Sequence, residues 1–178
     1  MKVFKKVPAH DLSGRPIGMI AKDWMLVTAS KPDGTSNCMT ASWGGLGELW
    51  GKPVAFLFIR PQRYTHEFTE SGDHLTLTWF EEQMRDKLAF CGAKSGRDID
   101  KIAECGLTAV TDGDGMVYYS EATRVMKLKK LYSQKIDPSC GYESELLDFH
   151  YPQKDYHTMY ICEILEILEN VTEENAAE

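Results

Sequence analysis

The run Asn37-Cys38-Met39-Thr40-Ala41-Ser42-Trp43-Gly44-Gly45 sets small and hydroxyl side chains around a single indole. Small side chains let the backbone approach a flat ligand, so its N–H groups can reach polar ring atoms while Trp43 offers a stacking or edge surface. The segment therefore reads as a cradle for a planar heterocycle, or equally as a strand end and glycine turn with Trp43 in the core. Arg60-Pro61-Gln62-Arg63-Tyr64-Thr65 puts guanidinium forks and a hydroxyl at the start of a short helix. Charge, fixed donors and the helix dipole would together receive a phosphate there. The plainer reading makes Thr65 an N-cap and leaves the arginines in solvent. In Ser95-Gly96-Arg97-Asp98-Ile99-Asp100-Lys101 a helix start can receive a second anionic group with Lys101 one turn in, or Asp98 is a cap that pairs with Lys101 on the surface.

Other chemistries lack their residues. Gly45 and Gly47 begin a G-x-G-x-x-G, but Trp50 occupies the third glycine position and no helical pattern follows. Cys91-Gly92-Ala93-Lys94-Ser95-Gly96 lacks the Gly-Lys-Ser order of a phosphate loop. The sequence contains neither H-E-x-x-H nor G-x-S-x-G, and no acid cluster has metal-ligand spacing, so neither a metal nor hydrolytic chemistry is expected. At 178 residues the chain suits one domain, 1–178, and its net charge of −7 offers nucleic acid or anionic lipid no general attraction.

The apolar run Val54 to Ile59 is too short for a membrane helix, and no apolar stretch follows the N-terminal lysines, so a cytoplasmic location is expected. Cys38, Cys91, Cys105, Cys140 and Cys162 are odd in number, widely spaced and without a C-x-x-C, which predicts free, mostly buried thiols. Asn170-Val171-Thr172 matches a glycosylation acceptor, read here as chance.

The elements that must position these clusters are mainly short strands. Met25 to Ser30 and Ser36 to Ser42 flank a Pro-Asp-Gly turn and predict a hairpin. Val54 to Ile59, apolar on both faces, predicts a central strand; Leu75, Leu77 and Trp79 alternate with threonines as in a half-exposed one. Met116 to Ser120 and Thr123 to Tyr132 predict further strands, the second with a lysine-protected wet face. Helices are predicted over Glu81 to Phe90, from Ser95-Gly96-Arg97-Asp98 to Gly106, and from Thr65 to about Glu70. Met159 to Leu168 fits either type, since Glu163, Glu166 and Glu169 have helical spacing while Met-Tyr-Ile-Cys favours a strand. The acidic end, 172–178, is expected to fray. The class is mainly β with flanking helices, a barrel or a sandwich.

N-x-M-T-A-S-W-G-G, R-P-x-R-Y-T-H and S-G-R-D-x-D-K, in this order, resemble the flavin reductase-like family of FMN-binding split-barrel proteins that includes the flavoredoxins. The likeness runs from about Val27 to Ile164. It implies a six-stranded Greek-key split β-barrel, a homodimer, and non-covalent FMN near the dimer interface.

Carried over by position, it implies that Asn37, Met39, Thr40, Ala41, Ser42 and Trp43 line the isoalloxazine, mainly through backbone groups. Arg60 and Thr65 would lie at the phosphate end, with Arg63 beside them and less constrained in the family. Lys101 and Ser95 come from the third motif, and His157 comes from a late H-T…E-I segment; if FMN binds, Lys94 or a backbone N–H could serve the negative charge near flavin N1. Cys38 stands where an aliphatic residue is common, which suggests packing. The implied activity is hydride transfer from NADH or NADPH to flavin N5, with no catalytic side chain required. A flavoredoxin-type electron carrier and a cofactor-free dimeric interaction module are the other readings.

Overall fold

The computed structural model describes residues 2–172. The predicted hairpin is β2 (Met25–Ser30) and β3 (Ser36–Ala41), paired in antiparallel register from Met25 opposite Ala41 to Ser30 opposite Ser36. Asp33 shapes its turn by accepting the Thr35 amide at 2.9 Å, and Gly34 takes the φ of +85° that the reversal needs. The glycine-rich stretch that follows forms a strand rather than a turn, β4 (Gly44–Leu49), and reverses at Trp50-Gly51, both at positive φ, into β5 (Lys52–Ile59).

Before the hairpin lie β1 (Lys2–Val7) and a helical turn α1 (Pro16–Gly18) that widens into a π-turn over Met19–Asp23. After β5 come α2 (Tyr64–Ser71), β6 (His74–Trp79), α3 (Arg85–Ala93) and α4 (Lys101–Glu104). The chain then forms a small hairpin of β7 (Ala109–Thr111) and β8 (Val117–Tyr119), followed by β9 (Arg124–Lys135), α5 (Ser144–His150) and β10 (Thr158–Thr172).

Eight strands make one antiparallel sheet in the order β3-β2-β6-β9-β10-β5-β4, with β1 added along the far half of β10; β7 and β8 stand apart. This is the split-barrel class that was expected, with two more strands in the main sheet than the six expected. Its interior is filled by Met25, Val27, Leu57, Ile59, Leu77, Met126, Tyr160 and Ile167. The two ends of the sheet, β3 and β4, are consecutive in sequence and joined only by Ser42 and Trp43, so the barrel has its seam at the first motif.

A second apolar cluster lies outside the barrel, where α3, α4 and β8 cover β2 and β3 with Leu26, Cys38, Leu88, Cys91, Cys105 and Tyr119. It accounts for the main departures from the sequence pattern. Thr76 and Thr78 are fully buried, so β6 is covered on both faces; Thr76 Oγ1 donates to Val117 O at 2.5 Å. The wet face expected of β9 is also covered in part. β9 lies between β6 and β10, and Lys127 pairs with Asp112 at 2.8 Å and Glu166 at 2.7 Å instead of guarding an edge.

The helix expected from Ser95 to Gly106 is confined to four residues, capped by Asp100 rather than Asp98: Asp100 Oδ1 accepts the amides of Ile102 and Ala103. The helix expected from Glu81 starts at Arg85 behind a 3-10 turn. Met159 to Leu168 lies within strand β10. Its glutamates face cations across the sheet, Glu163 with Lys52, Glu166 with Lys127 and Glu169 with Arg124. Register shifts near Cys162 and Glu166 reset the alternation, which is why the spacing imitated a helix. Cys38, Cys91, Cys105 and Cys162 are buried free thiols and Cys140 is exposed. Apart from Thr172 at the end of β10, the tail expected to fray lies outside the described residues.

Candidate functional site

Each of the three motifs falls on a different element, and they meet at Asn37. This buried side chain donates to Thr65 Oγ1 at 2.8 Å and to Cys38 O at 3.3 Å, joining β3 to the first turn of α2. Thr65 does not cap α2, since it lies inside the helix and is buried beneath Asn37. The third motif closes over the same residue: a Cβ built on Gly96 would lie 2.0 Å from Asn37 Oδ1. Only glycine lets that loop pass. One turn on, buried Lys101 donates to the Cys38 and Cys91 carbonyls, pinning α4 to β3 and α3.

β3 is an edge strand, paired on one side only with β2. Because Cys38 O accepts from Lys101 and Asn37, the outward row of backbone groups on β3 is the one that contains Cys38 and Thr40. The Thr40 hydroxyl donates its proton to Leu88 O at 2.5 Å, so the donor this residue can offer a ligand is its main-chain N–H.

A hollow of about 200 Å³ opens beside this row, lined by Met39, Thr40, Ala41, Ser42, Trp43, Phe58, Arg60, Arg63 and His157. Trp43 is 41% exposed and forms a wall of it rather than part of the core. Its ring meets His157 at 5.2 Å and His150 at 5.1 Å between centroids. His157 is buried and shares a 2.8 Å hydrogen bond between Nδ1 and the Tyr151 hydroxyl. Burial, reinforced by the Arg60 charge, holds its pKa down at about 4, so it faces Trp43 as neutral imidazole at pH 7.

The two arginines of the second motif differ. Arg60 is paired with Asp155 at 2.6 Å and also donates to His150 O at 2.8 Å; Gln62 and Arg60 together hold the Asp155 carboxyl below its usual value. Arg63 donates to Gly92 O at 2.7 Å and has no carboxylate partner among the described residues. Burial depresses the pKa of both Arg63 and Lys101. A part-buried and a buried cation, each held among the described residues by carbonyls alone, favour an anion nearby.

Asn37 and Lys101 border a second hollow of about 540 Å³ at the other end of β3. Lys94 and Ser95 line neither hollow; Ser95 Oγ accepts the Arg97 amide at 3.2 Å. Sequence reasoning passed over His150, Tyr151 and Asp155. They lie in and after α5, and no local spacing relates them to the residues they serve.

The model of the Flavin reductase like domain matches residues 17–177. The chain belongs to the flavin reductase-like family. Solved structures repeat the fold. Flavoredoxin of Desulfovibrio vulgaris aligns with TM-score 0.65 and 23% identity over 92% of this chain and 76% of its own. An FMN-binding domain of a flavin reductases-like enzyme from Shewanella baltica aligns with TM-score 0.68 and 13% identity, over 95% and 78%. The styrene monooxygenase flavin reductase from Pseudomonas putida gives TM-score 0.59 and 14% identity, over 82% and 77%. No curated protein matches the sequence. No helix among the described residues is long and apolar enough to cross a membrane.

Proposed function

We propose that this flavin reductase-like protein binds FMN non-covalently at the β3/β4 seam and acts as an NADH- or NADPH-dependent flavin oxidoreductase. The observation that carries the reading is edge strand β3 itself: the three motifs meet at Asn37 near its start, and its other end borders a hollow walled by Trp43 and His157. The chemistry of the residues fits the group. The outward main chain at Thr40 offers N–H and C=O partners to a polar ring edge, while Arg63 and Lys101 supply positive charge with no carboxylate partner among the described residues. Arg60, already neutralised by Asp155, is the weaker candidate for phosphate.

Bound FMN would supply the hydride chemistry. This chain's part is to hold the ring, exclude water along Trp43 and Phe58, and keep His157 neutral so that it adds no charge to the wall. The hollow is smaller than the ~300–1,000 Å³ usual for small-molecule sites, and a second copy of the chain that covers the seam would complete it. Free buried thiols accord with a cytoplasmic setting.

The first test is spectroscopic. The protein soaked with FMN and desalted should retain flavin absorbance, and a colourless product would favour an interaction module. Stopped-flow mixing of the loaded protein with NADH and with NADPH should bleach the flavin with at least one of them. Loss of the NAD(P)H reading with FMN retained, as an electron carrier would show, is the outcome in which neither donor bleaches it.

A further inference from the structure

Three thiols converge outside the barrel, in a cluster that flavin binding does not use. Cys38 lies on β3, Cys91 in the last turn of α3 and Cys105 at the C-terminal end of α4, and all are buried. The sulfurs of Cys91 and Cys105 are 3.7 Å apart. The pair encloses residues 92–104, the segment that carries Lys94, Ser95, Gly96, Arg97 and Lys101. The geometry points to a reversible redox-modification site in which Cys91 and Cys105, oxidised by a hydroperoxide, form a disulfide that fastens this segment to α3.

Cys105 is the more exposed residue of the two, 5% against 0% for Cys91, and the peroxide step is assigned to it. The Cys105 thiolate sulfur attacks a peroxide oxygen and the O–O bond breaks. The departing hydroxide takes up the proton that Cys105 released, giving water and leaving Cys105 as its sulfenic acid. The Cys91 sulfur then attacks the Cys105 sulfur, the S–S bond forms and the S–O bond breaks, and the Cys91 proton leaves with the oxygen as a second water. Two thiols have lost two electrons, and hydrogen peroxide has become two waters.

A disulfide needs the sulfurs ~2.05 Å apart, so the two side chains must turn toward each other from 3.7 Å. Cys91 and Cys105 occupy the ends of short helices, where the chain can give. Cys38 is held in strand β3 beside β2 and by Lys101 on its carbonyl, and is a poorer partner for Cys91. Thiol donation from Cys91 and the Lys101 charge lower the Cys38 thiol to about 7.

The test is peptide mapping of the full chain, treated with hydrogen peroxide, alkylated in urea at acidic pH and digested with trypsin without reductant. Cleavage at Lys87, Lys94, Lys101 and Arg124 places Cys91 and Cys105 on separate peptides, 88–94 and 102–124. They should appear joined, at their summed mass less two hydrogens, and separate when dithiothreitol is added. In Cys105→Ser, Cys91 should be fully alkylated after the same treatment. Linkage of Cys91 to Cys38 or of either cysteine to Cys140, or both peptides alkylated after oxidation of the wild type, overturns the assignment. None of these readouts depends on whether FMN binds.

Discussion

Asn37 holds the site together through contacts that other residues must permit, and Gly96 is the narrowest of them. In Gly96→Ala the new methyl would meet Asn37 Oδ1 and Cγ at 2.0 and 3.0 Å. The expected cost is about 1–3 kcal/mol, from overpacking and loss of the Asn37–Thr65 bond, read by urea denaturation together with weaker FMN binding. His157 gives a second prediction. Its folded pKa of about 4 lies below the unfolded value of ~6.5. The unfolded chain therefore binds the extra proton between those pH values, and stability is full above ~6.5 and falls as pH drops toward 4. Unfolding free energies of wild type and His157→Gln should converge as pH falls from 7 to 4, by roughly 1–3 kcal/mol. A constant difference across that range would assign the effect to packing. The arginines can be separated as well: Arg63→Met should weaken FMN more than riboflavin, whereas Arg60→Met should weaken both alike through loss of the Asp155 and His150 contacts. Titrations by flavin fluorescence decide this.

Among the elements, α4 is too short to hold its own place. Its four residues are anchored by the Asp100 cap and by Lys101, which reaches through the second apolar cluster to carbonyls of β3 and α3. Lys101→Met keeps the stem and removes the donors, leaving Cys38 O with Asn37 alone. A loss of about 1–3 kcal/mol is expected, and trypsin should cut at Arg97 faster as the loop loosens. The strands of the hairpin, β5 and β9 were legible because alternation, apolar runs and the Pro-Asp-Gly turn are local properties. β4 was not, because Gly44, Gly45 and Gly47 have no strand propensity of their own. Their value lies in close approach: a Cβ on Gly44 would lie 2.6 Å from Phe56 O. Tertiary pairing with β5 overrides the local preference.

Across the whole molecule, the seam leaves Trp43 and Ile17 exposed around an apolar hollow of about 410 Å³ that includes Pro16, Ile20 and Leu46. A homodimer closed over this face would explain why a surface next to the candidate site is apolar. Sedimentation equilibrium should report two chains per particle, and Ile17→Glu should shift the equilibrium to one. A monomeric wild type would remove the dimer from the proposed function.

Type and order of the motifs were set by sequence: an indole among small residues, arginines ahead of a helix, a glycine-containing loop ahead of a lysine. So was the family, which the three motifs in this order resemble and the match over residues 17–177 bears out. What only the tertiary structure decided is which polar groups are already taken. Asp155 neutralises Arg60 from 95 residues away, Thr65 is covered by Asn37, and Lys101 is turned inward. Charge and donor capacity are properties of the chain, but their availability depends on partners that meet only when the sheet curls its two ends together.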